Sequence, residues 1–159
     1  MATNQLMVKM ILDRWHSLMK TFNTNLDSIP DEQLQKEIAR GRNRGVYILG
    51  HLIAVHEAML PLLNLGEAEH PELFKTFVTS PDKSVEAIPS ASELRALWKS
   101  QMESLTPKLA SLTADEWFEK HNSVSAEDFE KEPHRNKLNV LLTRTTHLSY
   151  HAGQLRLLN

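Results

Sequence analysis

Near the C-terminal end of the chain, His147-Leu-Ser-Tyr-His151-Ala-Gly-Gln154 carries the residue types best suited to chemistry. On a helix, two histidines four apart lie only ~40° from each other around the axis, so both rings point the same way. Gln154 follows three residues on and falls on the same stripe. Two neutral imidazoles side by side can hold a divalent transition metal, but they do not close a site alone. The best candidate for a third ligand is His51, in Leu49-Gly50-His51-Leu52.

The helix that would carry this stripe is read from about Lys137 to Leu158. Val140, Thr143, His147, His151, Gln154 and Leu158 share one line, with Leu141, Leu148 and Leu155 on one side and Tyr150 and Leu157 on the other. That pattern predicts histidines in the middle of an apolar face. Burying imidazoles is costly unless their nitrogens find partners. A metal supplies such partners; hydrogen bonds in a packed core are the alternative. The spacing alone is a weak signal, because eight histidines among 159 residues produce such pairs by chance. Arg144, one turn before His147, is a candidate to bind an anionic substrate group or to pair with an acid of the bundle.

Other chemistries find less support. The sequence has no cysteine, which excludes disulfides, thiolate metal sites and a cysteine nucleophile and fits a reducing cytoplasm. A net charge of -2 gives no electrostatic reason to expect nucleic acid. The first ten residues lack a signal-peptide core, and no apolar run is expected to approach membrane-spanning length. His56-Glu57 lacks the second histidine of a zincin, since Leu60 stands at that position. Glu67-x-x-His70 is followed by Pro71 and has no second copy, unlike a di-iron motif. His16, His70, His121 and His134 read as surface or capping residues, and no acid partners Ser149 or Tyr150 as a nucleophile.

Length and composition predict one domain over 1–159, and the periodicity predicts an all-α four-helix bundle. The first long helix runs from about Asn4 to Asn23, with Met7, Ile11, Trp15, Leu18 and Phe22 inward. A short helix follows from Pro30 to about Arg40, ended by Gly41. The second long helix spans about Asn43 to Asn64 and carries His51 and His56 on opposite edges of its apolar stripe. They lie ~140° apart, too far round to share an ion. Pro61 is expected to kink its last turn. Ser90-x-x-Glu93 caps the third long helix, and Pro107 should bend or end it. Thr113 caps a single turn, and 121–136 reads as loop. Long connections therefore separate the second helix from the third and the third from the fourth. The first of them, Glu67 to Pro89, with a short helix around Phe74 and Phe77, reads as either a functional loop or a simple crossover.

Asn43-Arg-Gly-Val-Tyr-Ile48-Leu-Gly50-His51-Leu52, the four-helix pattern and His147-x-x-x-His151-x-x-Gln154 together resemble the DinB/YfiT-like superfamily over essentially the whole chain. The resemblance implies a four-helix bundle of unusual topology, often a homodimer, with a divalent metal, commonly nickel or zinc, on His51, His147 and His151. It implies a small-molecule substrate and a metal-dependent enzyme. The activity would be a thiol-dependent S-transferase or isomerase using a low-molecular-weight thiol such as bacillithiol, mycothiol or glutathione, or else a hydrolase. Gln154 would contact water, substrate or a ligand histidine. A non-catalytic metal- or ligand-binding bundle is the alternative, with His16 or His121 closing the metal site as a fourth ligand. A metal-free bundle with packed histidines is the third reading.

Overall fold

The computed structural model describes residues 3–159; the first two residues of the expected span lie outside it. Its long helices are α1 (Thr3–Asp27), α3 (Gly45–Glu57), α6 (Ala91–Ser111) and α9 (Lys137–Leu155), and shorter ones fill the connections. Among the described residues there are no strands, only isolated bridges pairing Glu37 with Arg44 and Lys120 with Asn136. The all-α bundle with long second and third connections is therefore observed. α1 packs along α9, and α3 lies between α6 and α9.

The inward face of α1 is Val8, Trp15, Met19, Phe22 and Leu26. Met7, expected inside, is exposed, and Val8 takes its place. A helix of 3.6 residues per turn drifts against a strict three-four count, and the stripe follows that drift. The short helix expected to reach Arg40 closes after α2 (Asp31–Leu34). Beyond it the chain folds back on itself. Ile38 N–H donates to the Asn43 carbonyl (3.1 Å) and Gly45 N–H to the Lys36 carbonyl (3.1 Å). Gly41 makes the turn at φ 74°, a conformation glycine adopts without strain. The backbone groups a longer helix would have satisfied are met by this hairpin instead.

Almost every residue of α3 is buried; the exception is His51, partly exposed. With α4 (Met59–Leu63) it forms a 19-residue stretch, Gly45–Leu63, of mean hydropathy 1.6. The expectation that no apolar run approaches membrane-spanning length is therefore corrected. Core burial accounts for the apolarity, since 78% of the most apolar window is buried inside the bundle. The helix breaks at Ala58. Pro61 has no N–H to offer the Glu57 carbonyl four residues back, so the ladder is interrupted there.

α6 opens with the expected capping box. Glu93 N–H donates to Ser90 Oγ (3.3 Å), and Ser90 N–H donates to Glu93 Oε2 (2.7 Å). It runs through Pro107 rather than ending there. Pro107 and Glu103, whose carbonyl loses its donor, both face solvent, while Leu105 and Leu109 anchor the helix in the core. Thr113 and Glu116 cap α7 (Ala114–Trp117) in the same way. The stretch expected as loop contains α8 (Ala126–Lys131), capped by Ser125 Oγ accepting from Asp128 N–H (3.0 Å). Ser-x-x-Asp was the signal, and the polar composition around it obscured it.

His56 is fully buried, its ring 5.2 Å from Trp15 and 5.4 Å from Trp98, and neither nitrogen has a protein partner. Burial, helped by the nearby charge of Arg144, pushes its pKa down to about 3. The unfolded chain therefore takes up a proton near pH 6.5 that the folded one refuses until about pH 3. The stabilising contribution is complete above pH 6.5 and is lost as pH falls through that window, at up to roughly 1.4 kcal/mol per pH unit. His56→Phe should flatten the fall in unfolding free energy between pH 7 and 4, measured by urea denaturation. An unchanged slope would refute the assignment.

Candidate metal centre

α3 places His51 where the connection between the second and third long helices crosses it. That connection contains α5 (Glu72–Phe74), which runs into a π-helical turn, Lys75–Thr79, and the Phe77 carbonyl of that turn lies 2.8 Å from His51 Nδ1. A carbonyl only accepts, so Nδ1 carries the proton and Nε2 keeps its lone pair. The contact depends on Gly50. A β-carbon there would stand 2.5–2.6 Å from the Phe77 ring, so only glycine admits the ring this close.

The connection is tied to α3 at intervals of about one turn. The backbone N–H and guanidinium of Arg44 hold Asp82 (2.8 and 2.7 Å), Tyr47 Oη donates to the Ser80 carbonyl (2.6 Å), and His51 holds Phe77. Residues 44, 47 and 51 form one helical stripe, matched in reverse order by 82, 80 and 77. Further along, the buried Glu57 carboxylate accepts from Glu69 N–H (2.5 Å). The connection left open between functional loop and crossover is thus a strap that orients a site histidine.

α9 is capped by Asn136, whose side chain accepts from Asn139 N–H (2.9 Å), and it presents His147 and His151 toward His51. The Nε2 atom of His147 is 3.1 Å from that of His51 and 3.0 Å from that of His151. Gln154 Oε1 accepts from His151 Nδ1 (2.7 Å), which turns the lone pair of Nε2 toward the cluster. His147 Nδ1 is buried without a protein partner.

One expectation is corrected. The histidine stripe is not in the middle of an apolar face. Leu141, Leu148 and Leu155 on one side are buried, but Tyr150 and Leu157 on the other are exposed. The histidines stand at the boundary, partly buried. Composition marks both flanks as apolar, whereas the neighbours covering only one of them come from α1 and α3.

Burial is the main cause that lowers the pKa of all three rings, carrying His147 to about 4. The cluster is therefore neutral near pH 7, the form that ligates metal. Among the described residues no carboxylate is one of the charges acting on them; Arg144 is, on His51 and His147. Three Nε2 lone pairs facing one another are mutually repulsive. A single proton on His147 Nε2 could be shared between its two neighbours, whereas a cation would satisfy all three. Ligands at roughly 2.0–2.1 Å from one ion stand ~2.8–3.4 Å apart for bond angles between octahedral and tetrahedral, and the two observed separations fall in that range. The donor set fits a divalent transition metal.

His51, His147 and His151 form a three-residue group whose ligand atoms all lie within 4.8 Å of one another. Neither His16 nor His121, considered as a fourth ligand, belongs to it, and His16 and His134 are exposed. His56 also stands apart, between the tryptophans. The Phe77 carbonyl could not be named from sequence, because a main-chain acceptor has no residue-type signature; Gly50 immediately before His51 was the only trace.

A helical bundle with a three-histidine cluster between its second and fourth long helices fits a metal-binding DinB-like protein. The DinB superfamily profile matches residues 14–155, and the chain belongs to that superfamily. No curated protein matches it.

If the strap and Gln154 orient the ligands, two substitutions should separate packing from ligation. Gly50→Ala should lower stability by about 1–3 kcal/mol and weaken metal binding together. Gln154→Leu should leave thermal unfolding of the metal-free protein nearly unchanged but reduce zinc affinity ~10–100-fold, read by chelator competition. Undiminished affinity in Gln154→Leu would show that the hydrogen bond to His151 is incidental.

Proposed function

We propose that the chain is a metal-dependent enzyme in which His51, His147 and His151 hold one divalent ion, nickel or zinc. The observation that carries the reading is the convergence of three Nε2 atoms, with two of the rings held in the ligating tautomer by the Phe77 carbonyl and Gln154. Three protein ligands, and no fourth among the described residues, match catalytic rather than structural metal sites, which use four. Bound there, a divalent metal supplies Lewis acidity, lowering the pKa of a coordinated water or thiol.

The protein's own groups favour an external thiol over water as the nucleophile. Among the described residues no carboxylate acts on the three histidines, so no acidic side chain is placed beside them to draw a proton from water. A thiol, with a pKa near ~8.5, needs little help to ionise at neutral pH. The chain has no cysteine to supply one. A thiol-dependent S-transferase acting with a low-molecular-weight thiol is the reading this supports best. Superfamily membership supports it, and metal-dependent hydrolysis is the other reaction the test must address.

Elemental mass spectrometry on untagged protein should find close to one nickel or zinc per chain, reduced at least tenfold by His51→Ala, His147→Ala or His151→Ala. Metal-loaded protein should then conjugate bacillithiol, mycothiol or glutathione to an electrophile, and the histidine variants should not. Wild-type protein that neither contains nor takes up metal would overturn the reading in favour of packed histidines. Loaded protein that hydrolyses esters or amides but ignores thiols would replace transferase by hydrolase.

A further inference from the structure

One turn before His147, between α9 and the 121–136 segment, lies an open cleft of about 560 Å³. Its wall carries His121, His134, Arg135 and Arg144, against a single acid, Glu132. That acid is already engaged, since Arg135 donates to Glu132 Oε2 at 3.0 Å. Val140 and Thr143 also line the cleft. They precede His147 by seven and four residues, on the stripe that carries it, so the cleft runs along α9 toward the three-histidine cluster.

Arg144 is the unusual member. The other partly buried arginines have acidic partners: Arg44 holds Asp82 (2.7 Å), Arg95 holds Asp31 (2.7 Å), and Arg135 holds Glu132. Arg144 has none among the described residues, and burial alone perturbs it. Its Nε is buried without a hydrogen-bond partner. A partly desolvated guanidinium without a counter-ion is costly, and it is retained where something outside the chain neutralises it. Arg144 stands one turn before His147 on α9, and its charge acts on His51 and His147 as well as on buried His56. A dication held by three neutral imidazoles would add two charges there, with no carboxylate acting on the cluster to offset them.

We infer that Arg144 is the substrate's anchor: the cleft takes a small acid whose carboxylate or phosphonate-type oxyanion is held by the Arg144 guanidinium while its other end faces the histidine cluster. The planar fork of arginine matches such oxyanions in bidentate fashion. This inference rests on the metal reading above and adds the substrate's charge to it.

The test uses the full chain loaded with cobalt(II), whose visible absorption reports on its coordination. Succinate, phosphonoacetate and neutral succinamide are titrated in turn, with binding followed by absorption and calorimetry. Wild type should bind at least one of the two acids, and the tighter of the two identifies the oxyanion; succinamide should bind at least tenfold more weakly. Arg144→Gln should load cobalt as wild type does and bind that acid at least tenfold more weakly, about 1.4 kcal/mol. Arg144→Lys, which keeps the charge but loses the fork, should lose at least threefold, and it gives the reading if the glutamine variant does not fold. If the cobalt-loaded wild type binds neither acid, or binds succinamide equally well, or if Arg144→Gln binds the acid as wild type does, the inference falls and the metal reading stands. If wild type takes up no cobalt, both fall.

Discussion

The hydrogen bond from His51 Nδ1 to the Phe77 carbonyl is the contact on which the site's architecture depends. It decides which nitrogen of His51 is free to ligate, and it exists only because a length of chain remote in sequence is pressed onto α3. Gly50 removes the β-carbon that would hold Phe77 away, the buried ring fills the space, and Arg44 and Tyr47 tie down the rest of the strap. A main-chain carbonyl in a strap fixed at several points is a stiffer orienting group than a free side chain. It has no rotamers to lose when a ligand binds.

The cluster also owes its neutrality to its surroundings. Burial holds the imidazoles unprotonated, and Arg144 adds to that effect on His51 and His147. Ligation near pH 7 then requires little displacement of protons from the rings, although His147 must keep its own proton on Nδ1. A positive neighbour opposes a cation as well as a proton. The arrangement therefore suits a site completed by an anionic ligand, whether a thiolate or an acid.

Much of this was legible in the sequence wherever the governing interactions are local. His147, His151 and Gln154 lie on one helix, so spacing alone put them together. The capping boxes at Ser90 and Thr113 are short-range patterns that nothing distant overrides. Failures came where long-range or backbone terms decide. Residues 35–40 have helix-compatible side chains, yet the turn at Gly41 lets the backbone pair with itself. Pro107 is expected to bend or end α6, but the helix runs through it because its lost hydrogen bond faces water. The side of the histidine stripe that meets the core depends on which helices cover it, and periodicity carries no information about that. His51 was placed by the neighbourhood of Gly50 and by family resemblance; its contacts needed the fold.

The same geometry would limit how a substrate of the proposed enzyme could reach the histidines. The strap covers the α3 side and is held by Arg44, Tyr47 and His51, so opening it would break several hydrogen bonds, including the one that orients a ligand. A lid that disorders the centre each time it moves is a poor gate. The core leucines of α9 close a second side. What remains is the flank of α9 marked by exposed Thr143 and Tyr150. Tyr150 stands edge-on to His151 there, with ring centroids 5.1 Å apart, and the basic cleft begins at Thr143 and Arg144. In the proposed enzyme, approach from this flank would bring an incoming anion past Arg144 on its way to the histidines.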